Sequence, residues 1–414
     1  MGFHEANVKA IVDYFESGIK NADDAPRLGV EIEHIVVDEH SGAVSYSEEH
    51  GVRWILEQLA QDLPEKTYGD GDALLGLAGG NQTITLEPAA QLELSAGPYE
   101  YASDLQTDYI AFQHRLGELV GDHNRRAVAV GYHPTATAES LELIPKQRYR
   151  YMDAHFAKIG PFGRCMMRGS AATQVSIDYY SVDDCLRKLR LASALAPLFA
   201  LLCDNSPVFE GKPRTHHMVR TEIWQKCDPA RCETVPGVLD PNFSLEAYAE
   251  YVLRTPAIFG IDENGRSYAT EKTFDELYAD ASMTLADVEH ALSLLFNDVR
   301  LKTYIEIRPA DSMPIPFVAA YATLIKSLFY SAESLDALDE LLAGVDEEAV
   351  TQAKNALMAD GYQATVYGRP ASELIDALFA IARQSLASVE RTLLNPLLQL
   401  ARMRKTLAMM AAGE

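Results

Sequence analysis

Stretches of alternating apolar and polar residues, separated by segments of helical periodicity, predict an α+β fold for this chain: one large, mainly antiparallel sheet with helices packed on its back. Two observations carry the prediction. Polar side chains recur two apart in each strand-like stretch, which gives every strand one polar and one apolar face. Strands also come in pairs with helices between them, not in a βαβ array, and no repeat or low-complexity linker divides the chain.

At 414 residues, with 48% hydrophobic and 23% charged, the chain has the length and balance to bury a large core. A net charge of −24 argues against nucleic acid or an anionic membrane as partner, but not against a small anion in a locally cationic pocket. No apolar run of about 18 residues predicts a membrane span. The start, Met1-Gly2-Phe3-His4-Glu5, has no secretory pattern, and a cytoplasmic location is expected. Cys165, Cys185, Cys203, Cys227 and Cys232 contain no C-x-x-C and are read as reduced thiols.

In chain order, residues 4–20 place Val8, Ile11, Val12, Phe15 and Ile19 at helical spacing. Leu28 to Asp38, L-G-V-E-I-E-H-I-V-V-D, follows as a β-branched strand. Glu31 and Glu33 share one of its faces, and two like charges among Val30, Ile32 and a further apolar run are costly unless something pairs them. A turn at His40-Ser41-Gly42 and an amphipathic helix over 52–63 come next. The glycines from Gly69 onward form neither a Walker loop nor a dinucleotide fingerprint and read as turns of a β-meander. Thr83, Thr85 and Glu87 then share a strand face ended by Pro88, and Gln91, Glu93 and Ser95 share a face of the next strand.

A helix is expected over 100–124 and a short apolar strand over 127–131. The basic run Lys146-Gln147-Arg148-Tyr149-Arg150-Tyr151 reads equally as a solvated face or as the anion-binding wall of a site. Residues 171–179 alternate, with Gln174, Ser176 and Asp178 on one face. Helices are predicted over 182–202 and 244–253. The Pro-rich stretch between them, carrying His216, His217, Arg220 and Trp224, reads as loop, and the two histidines as loop surface because no second pair completes a metal site. Residues 301–309 are predicted as one strand with Tyr304, Glu306 and Arg308 on one face. From Phe317 the chain reads helical to its end, broken around 361–370.

Five acids therefore sit in strand-like segments with apolar flanks: Glu31, Glu33, Glu87, Glu93 and Glu306. Oxygen-only donors favour Mg²⁺, Mn²⁺ or Ca²⁺ over Zn²⁺, and Mg²⁺ is commonly shared between carboxylates and substrate phosphates. Arg148, Arg220 and Arg308 are fork-shaped donors for carboxylate or phosphate oxygens. There is no G-x-S-x-G, no Cys/His nucleophile pair and no H-E-x-x-H. The residues alone lead to a Mg²⁺-dependent, ATP-using enzyme acting on an acidic small molecule. Residues 1–330 are expected to form its catalytic sheet-and-helix part and 331–414 a helical segment packed on it, within one structural domain.

Several words of the sequence resemble the plant-type glutamate–cysteine ligase family, which also has bacterial members. They are G-V-E-I-E-H (29–34), I-T-L-E-P-A-A-Q-L-E-L-S-A-G-P (84–98), K-Q-R-Y-R-Y-M (146–152) and M-M-R-G-S-A-A-T-Q-V-S-I-D-Y (166–179), then N-S-P-V-F-E-G-K-P (205–213), M-V-R-T-E-I-W (218–224) and V-R-L-K-T-Y-I-E-I-R-P-A-D (299–311). The resemblance implies a glutamine-synthetase-like fold whose curved antiparallel sheet forms a funnel. It implies that Glu31, Glu33, Glu87, Glu93 and Glu306 hold Mg²⁺ (or Mn²⁺) bridging the ATP phosphates. Arg148, Gln174, Arg220 and Arg308 would bind glutamate, with Glu306 and Arg308 at the reacting centre. The implied reaction joins the γ-carboxylate of glutamate to the amine of cysteine through γ-glutamyl phosphate, the first step of glutathione or related thiol synthesis. Its partners would be glutamate, ATP and cysteine or another amine, with neither nucleic acid nor membrane; a homo-oligomer stays open. A γ-glutamyl ligase for another amine, or a catalytically retired acidic metal-binding protein, are the competing expectations. Where family members commonly read E-P-G-G-Q, this chain has Glu87-Pro88-Ala89-Ala90-Gln91, so alanines stand where glycine would permit positive φ.

Overall fold

Nine strands share one sheet in the computed structural model, which describes residues 2–262 and 264–413. They are β1 (Leu28–Asp38), β2 (Glu65–Tyr68), β3 (Leu74–Gly79), β4 (Gln82–Leu86), β5 (Leu92–Tyr99), β6 (Arg125–Val128), β7 (Thr173–Ile177), β8 (Val299–Leu301) and β9 (Ile305–Ile307). Their order is β8-β9-β7-β1-β5-β4-β3-β2, with β6 paired to the second half of β1. Every neighbouring pair is antiparallel, as the period-2 patterning predicts. The β-meander expected from the glycines is β2 to β5; Gly80 turns it at φ +62°. The strand expected over 127–131 lies slightly earlier, at β6.

One strand prediction is corrected. Residues 301–309 are not a single strand: β8 and β9 fold back on each other so that Arg300 pairs with Glu306 and Leu301 with Ile305. The alternation runs unbroken through Lys302-Thr303-Tyr304, with no Gly or Pro to mark the reversal.

Helices pack around the sheet. The main ones are α1 (Phe3–Glu16), α2 (Val52–Leu59), α3 (Ala102–Gly121), α4 (Gln147–Phe156), α5 (Val182–Leu202), α6 (Val219–Gln225), α7 (Leu245–Arg254), α8 (Leu285–Leu292) and α9 (Ile315–Phe329). α3 packs on β5 and β6, α5 on β8 and β9, and α9 on β1 and β7. α9 is apolar on almost every side and is buried accordingly from Val318 to Phe329. α5 starts where its sequence says: Ser181 accepts the Asp184 amide, and Asp183 and Asp184 face the positive end of the helix dipole. Beyond α9 come helices over Ala332–Leu341, Glu347–Asp360, Ala371–Ser385, Asn395–Met403 and Leu407–Ala412, with a short hairpin at Thr365–Pro370. One apolar cluster runs from Ile11 to Ala401. Among the described residues no single helix is long and apolar enough to cross a membrane.

α6 lies inside the stretch read as loop. His216 is half-buried, not free surface: its ring contacts Glu222 of α6 at 2.8 Å and the His217 carbonyl at 2.7 Å. The helix has only seven residues to show in sequence, too short for periodicity to reveal.

Candidate active site

The sheet register puts the acids on one face. Glu33 stands directly opposite Glu93 across β1 and β5, Glu31 opposite Ser95 and Gln174, and Glu306 opposite Ser176. The intervening Val30, Ile32, Leu92 and Leu94 point to the helices and are buried. Glu87 follows β4 in a tight turn that Gln91 fixes: its side chain accepts from Ala89 N–H and donates to the Arg168 and Ser170 carbonyls. Gln91, expected on the polar face with Glu93, is therefore a brace between two segments. Ala90 in that turn has φ +66°, a conformation costly for any residue but glycine.

The polar face looks into a cavity of about 250 Å³. Its walls include Glu31, Glu33, Glu87 and Glu93, together with Arg148 from α4, Gln174 from β7, Arg220 from α6, and Arg300, Lys302 and Arg308 from the β8–β9 region. A larger cavity of about 690 Å³ lies alongside, between the β2–β5 meander and Tyr304, and Glu31 lines both. All the predicted site residues except Glu306 line the smaller cavity, and Glu306 sits just behind its wall in contact with Arg300, Lys302 and Arg308.

Glu306 is fully buried. Arg300 binds its Oε2 through Nε and Nη2, each at 2.7 Å; Arg308 reaches the same oxygen at 2.8 Å; Lys302 takes Oε1 at 3.2 Å. Burial pushes its carboxyl upward, but the three cations outweigh burial and hold it well below the ordinary value. The other acids behave oppositely. Burial, then the Glu87 charge, raises Glu33 to about 8; burial followed by Glu306 raises Glu31; burial followed by Glu31 raises Glu93 well above its ordinary value. These three carboxylates crowd together on the cavity side of the sheet, with Thr85 donating to Glu93 at 2.6 Å and Ala172 N–H to Glu33 at 3.0 Å.

The arginines differ in how much of their valence is used. Arg148 is tied to Ser293, donating to its hydroxyl at 2.9 Å and its carbonyl at 2.7 Å. Arg220 donates to the Ala310 carbonyl at 2.9 Å, stands 3.7 Å from Asp311 and stacks over Trp224. Arg308 bridges Glu306 and Gln174. The Nε atoms of Arg220 and Arg308 are both buried and find no hydrogen-bond partner among the described residues. Unpaired buried guanidinium N–H groups are expensive, and an anionic ligand is what satisfies them.

Whether these residues suit Mg²⁺ is decided by the donors. They are oxygen-only, they converge on one cavity, and burial followed by neighbouring carboxylate charge raises three of them, which is the chemistry a hard divalent cation relieves. Among the described residues no group of three or more His, Cys, Asp or Glu side chains stands as a preassembled metal cage. The carboxylates fit such an ion by chemistry and would close on it.

Two wall residues, Arg300 and Lys302, were not singled out from the sequence. The signal was present: Arg300, Lys302, Tyr304, Glu306 and Arg308 alternate without a break, and reading from Leu301 starts one residue late.

A family model described as glutamate–cysteine ligase family 2 matches residues 27–404. The chloroplastic glutamate–cysteine ligase of Arabidopsis thaliana is 30% identical over 341 residues, 80% of this chain; the chain spans 65% of that protein, just under two thirds of its length. Glutamate–cysteine ligase A of Oryza sativa subsp. japonica is 30% identical over 339 residues, 80% of this chain and 68% of that one. Among solved structures, a glutamate–cysteine ligase from Francisella tularensis in complex with AMP superposes with a TM-score of 0.58 at 14% identity, covering 94% of this chain and 85% of that one. A bifunctional glutathione synthetase from Pasteurella multocida gives 0.52 at 13% identity, covering 100% of this chain and 52% of that one. At such identities the structures speak for a shared fold: the α+β arrangement predicted from the sequence.

Proposed function

The chain belongs to glutamate–cysteine ligase family 2, and from that premise we propose that it joins the γ-carboxylate of glutamate to the amine of cysteine at the expense of ATP. The observation that carries the reading is the meeting, in one cavity, of four carboxylates with two arginines whose buried Nε–H groups lack partners. Acids alone would suit only a cation, and arginines alone only an anion. Both together suit a metal–nucleotide beside an acidic substrate.

In this reading glutamate occupies the smaller cavity. Arg220 and Arg308 take its carboxylate oxygens, Gln174 orients it, and Arg148 with Ser293 closes the wall. The nucleotide occupies the larger cavity, with its γ-phosphate at the junction that Glu31 shares. Glu31, Glu33, Glu87 and Glu93 would hold Mg²⁺, which when bound offsets the charge on the phosphate oxygens, whereas Glu306, expected among them, has both oxygens taken by Arg300, Lys302 and Arg308 and instead positions those cations. An oxygen of the γ-carboxylate attacks the γ-phosphorus, a new O–P bond forms, and the bond to ADP breaks with its electron pair on the departing ADP oxygen. The amine nitrogen then attacks the acyl carbon; the C–O bond breaks, phosphate leaves with that pair, and the amine loses a proton to solvent. The chain's residues position both steps and supply no covalent nucleophile, as phosphoryl transfer requires.

Release of ADP in the presence of glutamate, Mg²⁺ and a panel of amines tests this directly. The expected result is turnover with cysteine well above every other amine. Turnover with another amine but not with cysteine would replace the acceptor, and none with any amine would leave a metal-binding protein that is not a ligase.

A further inference from the structure

The β8–β9 hairpin carries a cation with a different freedom from its neighbours. Lys302 sits at the reversal, with Nζ 3.2 Å from Glu306 Oε1 and 3.2 Å from the Tyr304 hydroxyl, and 5.4 Å from the centre of the Tyr304 ring. Lys302 lines the smaller cavity and Tyr304 the larger, so the pair stands with Glu31 where the two meet. Arg300 is fixed, with two nitrogens on Glu306 Oε2 and Nη1 on the Leu295 carbonyl at 2.8 Å. Arg308 is fixed between Glu306 and Gln174. Both arginines use Oε2, so among the described residues Oε1 is held by Lys302 alone. If the ammonium moves away, Glu306 keeps two cations and stays compensated, whereas losing either arginine would leave a bent or broken knot. A flexible four-carbon stem ending in a point charge is the side chain suited to such a move.

We propose that Lys302 is a catalytic residue of phosphoryl transfer: its ammonium leaves Glu306 Oε1 for a non-bridging oxygen of the γ-phosphoryl group, guided by the Tyr304 hydroxyl. The inference rests on the reading of the site as a γ-glutamyl ligase. While the carboxylate oxygen bonds to phosphorus and the ADP oxygen departs with its electron pair, Lys302 keeps all its protons and offsets charge on the oxygens in between.

Lys302→Met and Lys302→Arg are compared with the parent in two measurements. The first needs no turnover: dissociation constants for ADP and for its β,γ-imido triphosphate analogue, each with Mg²⁺, give the preference for a γ-phosphate. That preference is expected to fall roughly 10-fold or more in Lys302→Met, with ADP affinity nearly unchanged, and to be largely kept in Lys302→Arg. A parent without the preference, or a Lys302→Met variant that keeps it, overturns the proposal. In the second, kcat of Lys302→Met is expected to drop about 100-fold or more with KM for glutamate little changed, and Lys302→Arg to recover most of it. A kcat close to the parent's also overturns it. A parent that releases no ADP with any amine defeats the ligase reading instead, and the binding measurement still decides Lys302.

Discussion

Removing the Glu306 carboxylate leaves Arg300, Lys302 and Arg308 facing one another in a buried space. Uncompensated buried charge typically costs about 3–5 kcal/mol, so Glu306→Ala is expected to lose fold along with turnover. Sequence alone suggests a clean knock-out at this position; the three cations make it a structural residue as well. Glu306→Gln keeps the volume and one acceptor oxygen while an amide NH₂ replaces the other, and it separates the roles: its melting temperature should fall less than that of Glu306→Ala, while ADP release stays lost. A Glu306→Gln variant with near-parent turnover would take Glu306 out of the site. At Arg220 the expectation is a substrate effect. Arg220→Lys surrenders the fork and the Nε–H, and KM for glutamate should rise about 10- to 100-fold with little change in melting temperature. The Glu87–Gln91 turn gives a test of the opposite sign. Ala90 bears the strain of φ +66°, and Ala90→Gly should be neutral or stabilise by up to about 1 kcal/mol by thermal unfolding, despite the loss of a buried methyl. The acids were legible one by one because a carboxylate on an apolar strand is conspicuous. The Glu306 knot was not, because its members face one another only after the chain reverses at Lys302-Thr303-Tyr304.

β1 and β5 set the pH behaviour of the site. Glu33, held up at about 8 by burial and then by Glu87, keeps a proton in the folded protein between its ordinary 4.5 and that value, where the unfolded chain has released it. The folded state then binds more protons than the unfolded one, so this group costs stability as pH rises across the window. Glu31 and Glu93 are raised too and act in the same direction. A divalent cation binds the ionised carboxylates, and its stabilisation should grow over the same interval. The gap in melting temperature with and without Mg²⁺ is expected to be wider at about pH 8 than at about pH 6; a gap that stays constant would mean these carboxylates do not take up the ion. At this scale the sequence was most readable in long elements. β1 and α5 have the bounds their patterns imply, whereas the seven-residue α6 and the three-residue β8 and β9 are too short for a repeating pattern to announce them.

The whole molecule carries −24 and yet gathers Arg148, Arg220, Arg300, Lys302 and Arg308 around one cavity. Such an inversion focuses an anionic substrate on this cationic wall, and added salt should raise KM for ATP more than it lowers kcat. The C-terminal helices pack on α9 and α5. Leu394, Leu397 and Ala401 are fully buried in the common cluster, and Thr406 donates to Asp204 at 3.1 Å. A chain ending at residue 394 is expected to melt well below the parent, since each lost buried leucine contributes about 2–5 kcal/mol; unchanged melting would make the segment after it a separable appendage. Overall architecture could be read from patterning because burial of one face per strand is a local property. That the last helices pack on α9 and α5 could not, because apolar periodicity says that a helix packs without saying on what.

β1 pairs with β5, β6 and β7, and its side chains alternate between helices and cavity without a bulge from Val30 to His34. A slip of one residue in that strand would carry Glu31 and Glu33 into the oily layer and deliver Val30 and Ile32 to the substrates. The wrong register thus pays twice, in folding and in chemistry. A chain threaded out of step would be discarded as insoluble rather than persist as a folded, inactive impostor.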